Sequence, residues 1–326
     1  MRSERLERAL QDGAWVLPSE GRIAVYRPRA GDDLSALPKE RVVVLTGFRP
    51  DHDHFAGLGY TVEPAAPYAA ALVCLPRARD HARALLAEAA ASVVPGGGIA
   101  VDGQKTDGIE TALKDLRKRM PVGETLSKAH GKLAVFAAGP ALTDWAAQET
   151  RVEGFSTRPG VFSADGPDRG SALLAEALPE KLGPKAVDLG AGWGYLSRAI
   201  LAREGVKKLD LVEAERDALD CARVNIDDPR ARFHWADALR FRPENLAETV
   251  VMNPPFHTGR DADPALGVAF IAAARGMMAP DGVLWLVANR HLPYDAALSA
   301  AFLDVQEVGA DSAFRVIRAA RPRRRS

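Results

Sequence analysis

The chain has 326 residues, 47% of them hydrophobic and 26% charged, and its 43 basic residues balance 43 acidic ones. That length suits two domains better than one, and the composition is that of a folded protein. Zero net charge excludes a protein that holds nucleic acid by bulk charge, so any polyanion site is a local patch; no apolar run approaches the roughly 18 residues of a membrane span.

Residues 1 to about 20 read as a helix carrying Leu6 and Leu10, then a turn at Pro18. The charged start, Met1-Arg2-Ser3-Glu4-Arg5, lacks the apolar core of a signal peptide. The expected location is the cytoplasm. Strand-like runs follow at 22–26, 41–45 and 69–75. A helix fits Asp80 to Ser92 and ends at Pro95-Gly96-Gly97-Gly98. A strand at Ile99-Ala100-Val101, a helix over 108–119 and a strand over 131–138 complete this half. Strands alternating with helices predict a mostly parallel sheet covered on both faces. No Gly-rich loop follows any of these strands. Asp51-His52-Asp53-His54 resembles a metal cluster in composition, but it reads as a polar loop with no further ligand, and no metal is expected. Cys74 and Cys221 lie far apart in apolar contexts and read as reduced core thiols.

The pattern weakens around Leu142 to Thr157, which places a boundary there and gives domains 1–150 and 151–326. Pro159-Gly160-Val161-Phe162-Ser163 is a turn with an exposed-looking aromatic. Asp168-Arg169-Gly170-Ser171 leads into a helix with Leu173, Leu174 and Leu178 on one face, and Asp168 or Ser171 can cap it. Strand Ala186 to Leu189 runs into Gly190-Ala191-Gly192-Trp193-Gly194, and a helix starts near Tyr195. Strand Leu209 to Val212 ends at Glu213, a helix spans Arg216 to Asn225, and a short strand at 233–235 ends before Asp237. Strand Thr249 to Met252 runs into Asn253-Pro254-Pro255-Phe256-His257. A helix over 264–278, a turn at Pro280-Asp281-Gly282, a strand over 283–287, a helix over 294–302 and two edge strands, 305–308 and 313–317, close the chain. The tail carries Arg318, Arg321, Arg323, Arg324 and Arg325, readable as a solvated terminus or as a phosphate contact.

The second half concentrates chemistry at strand ends, where open parallel sheets bind ligands. Glycines let backbone approach a ligand where side chains would clash. Glu213, ending the second strand, can accept both hydroxyls of a ribose, and Asp237 can accept from an adenine amino group. The loop is Gly-x-Gly-x-Gly rather than the dinucleotide pattern, and it follows Asp188. A carboxylate there repels a pyrophosphate and suits the charged amino group of S-adenosylmethionine. The residues expected to contact that cofactor are Ser171, Asp188, Gly190, Ala191, Gly192, Gly194, Glu213, Ala214, Asp237, Ala238 and Asn253. Two prolines after Asn253 make a stiff exposed turn. An exocyclic ring amine is a poor nucleophile because its lone pair is delocalised. The Asn253 side-chain oxygen and the Pro254 carbonyl can accept its two N–H groups and turn the lone pair toward the methyl group. Pro255 stiffens the turn, and Phe256 can stack on the ring. Phe162 is a candidate second stacking face. His257 and His291 read as structural hydrogen-bonding groups near the site, His257 also as a substrate contact.

With these motifs in place, the chain resembles class I adenosylmethionine-dependent methyltransferases. More narrowly, it resembles the bacterial ribosomal RNA guanine-N2 methyltransferases of the small-subunit methyltransferase C type. The carriers are 159–163 with 168–171, the loop from Asp188 to Gly194, 253–257, Val287-Ala288-Asn289-Arg290-His291-Leu292-Pro293-Tyr294, and Phe314-Arg315-Val316. In the first half, Gly103-Gln104-Lys105-Thr106-Asp107-Gly108-Ile109-Glu110 is similar to the family's N-terminal domain. The resemblance implies two tandem Rossmann-like α/β domains. The first is a degenerate copy that helps bind RNA; the second is catalytic, with a seven-stranded class I sheet. It implies methyl transfer to a guanine N2 in small-subunit (16S) ribosomal RNA, free or in the 30S subunit, by a monomer. Alternatives sharing the Asn-Pro-Pro-aromatic motif are a large-subunit ribosomal guanine, adenine N6 and a protein glutamine. A non-catalytic RNA-binding assembly factor is a further reading, set against intact Asp188, Glu213 and Asn253.

Overall fold

The computed structural model describes residues 2–255 and 264–323. The chain divides into two compact units, Met1–Glu149 and Thr150–Ser326.

In the first unit the elements run α1 (Arg2–Gln11), β1 (Ile23–Tyr26), β2 (Val42–Leu45), α2 (Arg49–Gly57), β3 (Ala70–Cys74), α3 (Arg79–Ser92), β4 (Gly98–Gln104), α4 (Ile109–Arg117), β5 (Leu126–Lys128) and β6 (Gly131–Ala137). They form a six-stranded sheet in the order β2-β1-β3-β4-β6-β5. Every residue of β1 and β3 is buried. Alternate residues feed the two faces: Ala24 and Tyr26 pack in one core, Ile23 and Val25 in the other. This double burial explains why these strands read as unbroken apolar runs. The polar loop expected at Asp51 to His54 is instead part of α2. Arg49 salt-bridges Asp53 one turn on, His52 bonds the same carboxylate, and Asp51 accepts from the Ala30 N–H. Local i,i+4 pairing thus organised a segment that lacked apolar periodicity.

One buried ion pair closes this unit. Arg5 and Asp102 are both fully buried. The Arg5 guanidinium donates to both Asp102 oxygens at 2.6 and 2.9 Å and to the Lys128 carbonyl at 2.8 Å. Arg2 adds a third bond to Asp102 at 2.8 Å. Gly131 makes room, since a Cβ there would lie 2.4 Å from the guanidinium carbon.

In the second unit a hairpin, β7 (Thr150–Val152) and β8 (Phe155–Thr157), precedes α5 (Arg169–Ala177), β9 (Lys185–Leu189), α6 (Tyr195–Leu201), β10 (Lys208–Glu213), α7 (Arg216–Asn225) and β11 (Ala231–Trp235). Then come β12 (Ala247–Met252), α8 (Pro264–Met277), β13 (Met278–Asn289), α9 (Asp295–Ala301), β14 (Phe302–Ala310) and β15 (Phe314–Pro322). The sheet has seven strands in the order β11-β10-β9-β12-β13-β15-β14, as the resemblance implied. The turn at Pro280-Asp281-Gly282 persists as an irregularity within β13, where pairing passes from Ala247↔Met278 to Thr249↔Val283. Of the two expected edge strands only β14 lies at the edge; β15 sits between β13 and β14, antiparallel to both. The strand also runs further than expected, to Pro322, so Arg318 and Arg321 belong to it rather than to a free tail. Arg323 donates to the Ser299 and Phe302 carbonyls at the end of α9. Arg324 and Arg325 lie outside the described residues.

The two sheets share one plan. Without β11, the second sheet has the first sheet's order, with β9, β10, β12, β13, β14 and β15 standing where β1, β2, β3, β4, β5 and β6 stand. Directions agree throughout. The first three junctions are parallel and the last two antiparallel in each. The copies part at the first loop. After β9 comes Gly190 with φ +84°; after β1 comes Arg27, held at φ +51°, then Pro28. Among the described residues, no helix is long and apolar enough to cross a membrane.

Replacing Arg5 with leucine should cost the first unit about 3 kcal/mol, the lower end for breaking a buried pair, because Arg2 still reaches Asp102. Urea unfolding of the full chain reads this, and an unchanged midpoint would remove the pair from the account of this unit's stability.

Candidate active site

The loop after β9 turns through three left-handed residues, Gly190 (φ +84°), Gly192 (φ +54°) and Gly194 (φ +93°). Only glycine adopts such angles without strain. At Gly194 space is also tight, since a Cβ would sit 3.1 Å from Ile226 Cγ1. The Gly190 and Ala191 N–H groups bond the Val212 carbonyl at the end of β10. The Gly192 N–H donates to Glu213 Oε2 at 2.8 Å, and Oε1 accepts from the Glu215 N–H at 2.7 Å. Each oxygen keeps a further lone pair for a ligand. Burial raises the Glu213 carboxyl above its ordinary range, against the pull of these backbone donors.

Asp188 lies beneath the loop, fully buried. Its Oδ2 accepts from Ser197 Oγ at 2.6 Å, whereas Oδ1 has no hydrogen-bond partner among the described residues. Burial pushes its carboxyl up to about 7; the Ser197 hydroxyl pulls the other way, and the nearby Glu213 charge adds to the rise.

Asn253 arrives from β12. Its Nδ2 donates to Asp168 Oδ2 and to Ser171 Oγ, both at 2.9 Å. Asp168 caps α5, accepting from the Ser171 N–H at 2.9 Å. Phe162 is 61% exposed, and its carbonyl accepts from the Trp193 indole N–H at 2.8 Å, which fastens the Phe162 loop to the glycine loop. Trp193 is buried against Phe155 and Tyr195, and its own carbonyl accepts from Asn225 Nδ2 at 2.8 Å.

A cavity of about 40 Å³ lies here, lined by Phe162, Asp168, Ser171, Gly190, Gly192 and Asn253, whereas Asp188 and Glu213 are not on its wall. Ala191 lines it too. Other expected site residues stand off the wall. Gly194 caps α6, Ala238 is buried, the Ala214 carbonyl accepts from the Trp235 indole, and Asp237 Oδ1 already accepts from the Leu239 N–H. Pro254 and Pro255 follow Asn253 outside any helix or strand; Phe256 and His257 lie outside the described residues. Reading the sequence alone missed two links. Beyond its place in a family motif Asp168 reads as a cap, which leaves its bond to Asn253 unannounced, and the signal for Trp193 was a tryptophan placed inside a glycine loop. A larger cavity, about 150 Å³, lies past the ends of β3 and β4 in the first unit. There Asp115 pairs with both Arg79 and Arg83, and the strand ends present no glycine turn of the β9 kind.

The model of the methyltransferase small domain family matches residues 153–318. The ribosomal RNA small subunit methyltransferase C of Alteromonas mediterranea is 32% identical over 76% of this chain and 72% of its own length. Its namesake in Pseudomonas paraeruginosa is also 32% identical, over 80% of this chain and 82% of its own. The fold resembles that of the T. thermophilus 16S rRNA N2 methyltransferase solved with AdoMet and guanosine, at a TM-score of 0.80 and 24% identity, covering 98% of this chain and 91% of that one. The chain belongs to the methyltransferase small domain family, among its ribosomal RNA small subunit methyltransferase C members.

Proposed function

We propose that the second unit transfers a methyl group from S-adenosylmethionine to the exocyclic N2 of a guanine in small-subunit ribosomal RNA. The observation that carries this reading is the Asn253 amide. Its nitrogen end is held by Asp168 and Ser171, and its oxygen has no partner among the described residues, on the wall of the cavity that the glycine loop also lines. The relatives that span most of the chain bear the small-subunit name, and the T. thermophilus neighbour holds both AdoMet and guanosine.

The residues fit the cofactor. The unpartnered Asp188 Oδ1, buried under the loop, matches the cofactor's ammonium group. Glu213 has lone pairs left for two ribose hydroxyls. Asp237, half engaged by its own turn, offers its remaining capacity to the adenine amino group, with Ala214 and Ala238 beside these two carboxylates. Gly190, Ala191, Gly192 and Gly194 bring backbone close, and Ser171 fills the gap between them and Asn253. The bound cofactor supplies an electrophilic methyl group on a sulfonium.

The guanine must leave its stack to enter. Asn253 Oδ1 and the Pro254 carbonyl then accept the two N–H groups of N2, which raises electron density on nitrogen and aims its lone pair along the transfer line. Phe162 supplies one stacking face, and we assign the remaining base contacts to Phe256 and His257, which lie outside the described residues. No strong base is needed, because the nitrogen becomes acidic once methylated. We assign RNA binding and support of the catalytic unit to the first unit. Its β1 loop places Arg27 and Pro28 where cofactor binding needs bare backbone. The enzyme acts as a monomer in the cytoplasm, where ribosomal RNA is its partner.

Mass-spectrometric mapping of modified nucleotides in a deletion strain should show one small-subunit guanine that has lost its N2 methyl group. Loss confined to a large-subunit guanine would turn the reading to that substrate, and an unchanged map would end it. Asn253→Ala should abolish methyl transfer to subunits from that strain while adenosylmethionine affinity stays within about threefold. A fully active variant would sink the role given to Asn253.

Asp188 gives a pH signature. Its folded pKa stands above the ordinary 3.8, so the unliganded fold holds the proton more tightly than the unfolded chain. That contribution is complete below about pH 4 and is lost as pH rises through about 7. A cation beside Oδ1 reverses the preference, so adenosylmethionine binding should release a proton and tighten between about pH 6 and 8. Calorimetry in buffers of different ionisation enthalpy reads both. The wild type should show the dependence and Asp188→Asn should lose it; a pH-independent affinity in the wild type would discard the contact.

A further inference from the structure

The Asn253 carboxamide has two ends of nearly equal shape and opposite chemistry. An oxygen facing the acceptor nitrogen accepts its N–H groups; an NH2 in the same place would repel them. We propose that Asp168 is the positioning residue that decides between these orientations, holding Asn253 with its oxygen toward the methyl acceptor.

The geometry is local and complete. Asp168 Oδ2 accepts from Asn253 Nδ2 at 2.9 Å and from the Ser171 N–H at 2.9 Å, and Ser171 Oγ takes the other Nδ2 proton at 2.9 Å. Both protons of the amide are therefore held at the start of α5, across 85 residues of sequence. A carboxylate only accepts, so it binds only the nitrogen end of an amide. A flipped Asn253 would set its oxygen against the Asp168 oxygen. The Ser171 hydroxyl both donates and accepts, so it would tolerate either orientation and does not decide the question. Asp168 is itself fixed, because the same oxygen caps the helix. The rigid end of α5 thereby sets which atom of Asn253 lines the cavity beside Gly190 and Gly192. This rests on the reading that Asn253 receives the acceptor amine.

Asp168→Asn separates the two jobs of this side chain. Asparagine caps helices as well as aspartate does. Its own amide can present oxygen or nitrogen, so it no longer dictates the orientation of Asn253. The full chain is assayed for methyl transfer to small subunits from a deletion strain. Adenosylmethionine affinity comes from calorimetry, and thermal midpoints are recorded alongside. We expect kcat of Asp168→Asn to fall about ten- to hundredfold, with KM for subunits, cofactor affinity (each within about threefold) and midpoint held. Asp168→Ala should lose as much kcat and, lacking a cap, should also melt earlier. Wild-type kcat in Asp168→Asn would overturn the proposal. So would a kcat loss confined to the alanine variant and tracking its lower midpoint, which makes Asp168 a structural cap, or a parallel loss of cofactor affinity in Asp168→Asn, which makes it a cofactor contact. The reading beneath fails differently, through an active Asn253→Ala.

Discussion

The hydrogen bond from the Gly192 N–H to Glu213 Oε2 is where the second unit ties the ends of β9 and β10 together. It forms only because β9 is followed by three residues in left-handed conformation, which carry the backbone over the end of β10. Bringing that backbone across a carboxylate leaves little room for water, and burial raises Glu213 and Asp188 together. Two desolvated acids side by side are costly in an empty protein and useful in a liganded one. The strain is local and the glycines carry it without side-chain clashes.

The paired sheets show that one strand order is compatible with quite different first loops. Six strands keep their order and direction in both units, because apolar alternation on two faces and right-handed crossovers fix the topology. The site depends on far less, the few residues that leave each strand. Arg27 and Pro28 after β1 keep the chain's course but replace open amides with side chains and a ring. The first unit has its own internal tie in Arg5 and Asp102, an ion pair inside its core.

Much of this architecture was legible from residue order. Strands buried on both faces leave long apolar runs, so β1, β3, β9 and β12 stood out. The Gly-x-Gly-x-Gly loop and the Asn-Pro-Pro turn were visible because each needs residue types that few other structures need. What the sequence hid was pairing at a distance. Nothing in a linear reading says that β15 inserts between β13 and β14, or that its strand continues through arginines that look like a tail. Helix α2 was hidden because its charges, not an apolar stripe, organise it. Asp168 read as a cap, which it is; its second contact, to an amide 85 residues away, exists only in three dimensions.

The Trp193 indole joins the glycine loop to the loop that displays Phe162, and Asn225 holds Trp193 from the other side. On the proposed reading, a nucleoside on the glycines and a base on Phe162 would act on one hydrogen-bonded unit. Whatever ordering the first arrival imposes on that unit, the second no longer has to impose. Linkage of this kind is reciprocal, so the factor by which cofactor alters RNA affinity is also the factor by which RNA alters cofactor affinity. On that reading a single indole proton carries the coupling between the two ligands.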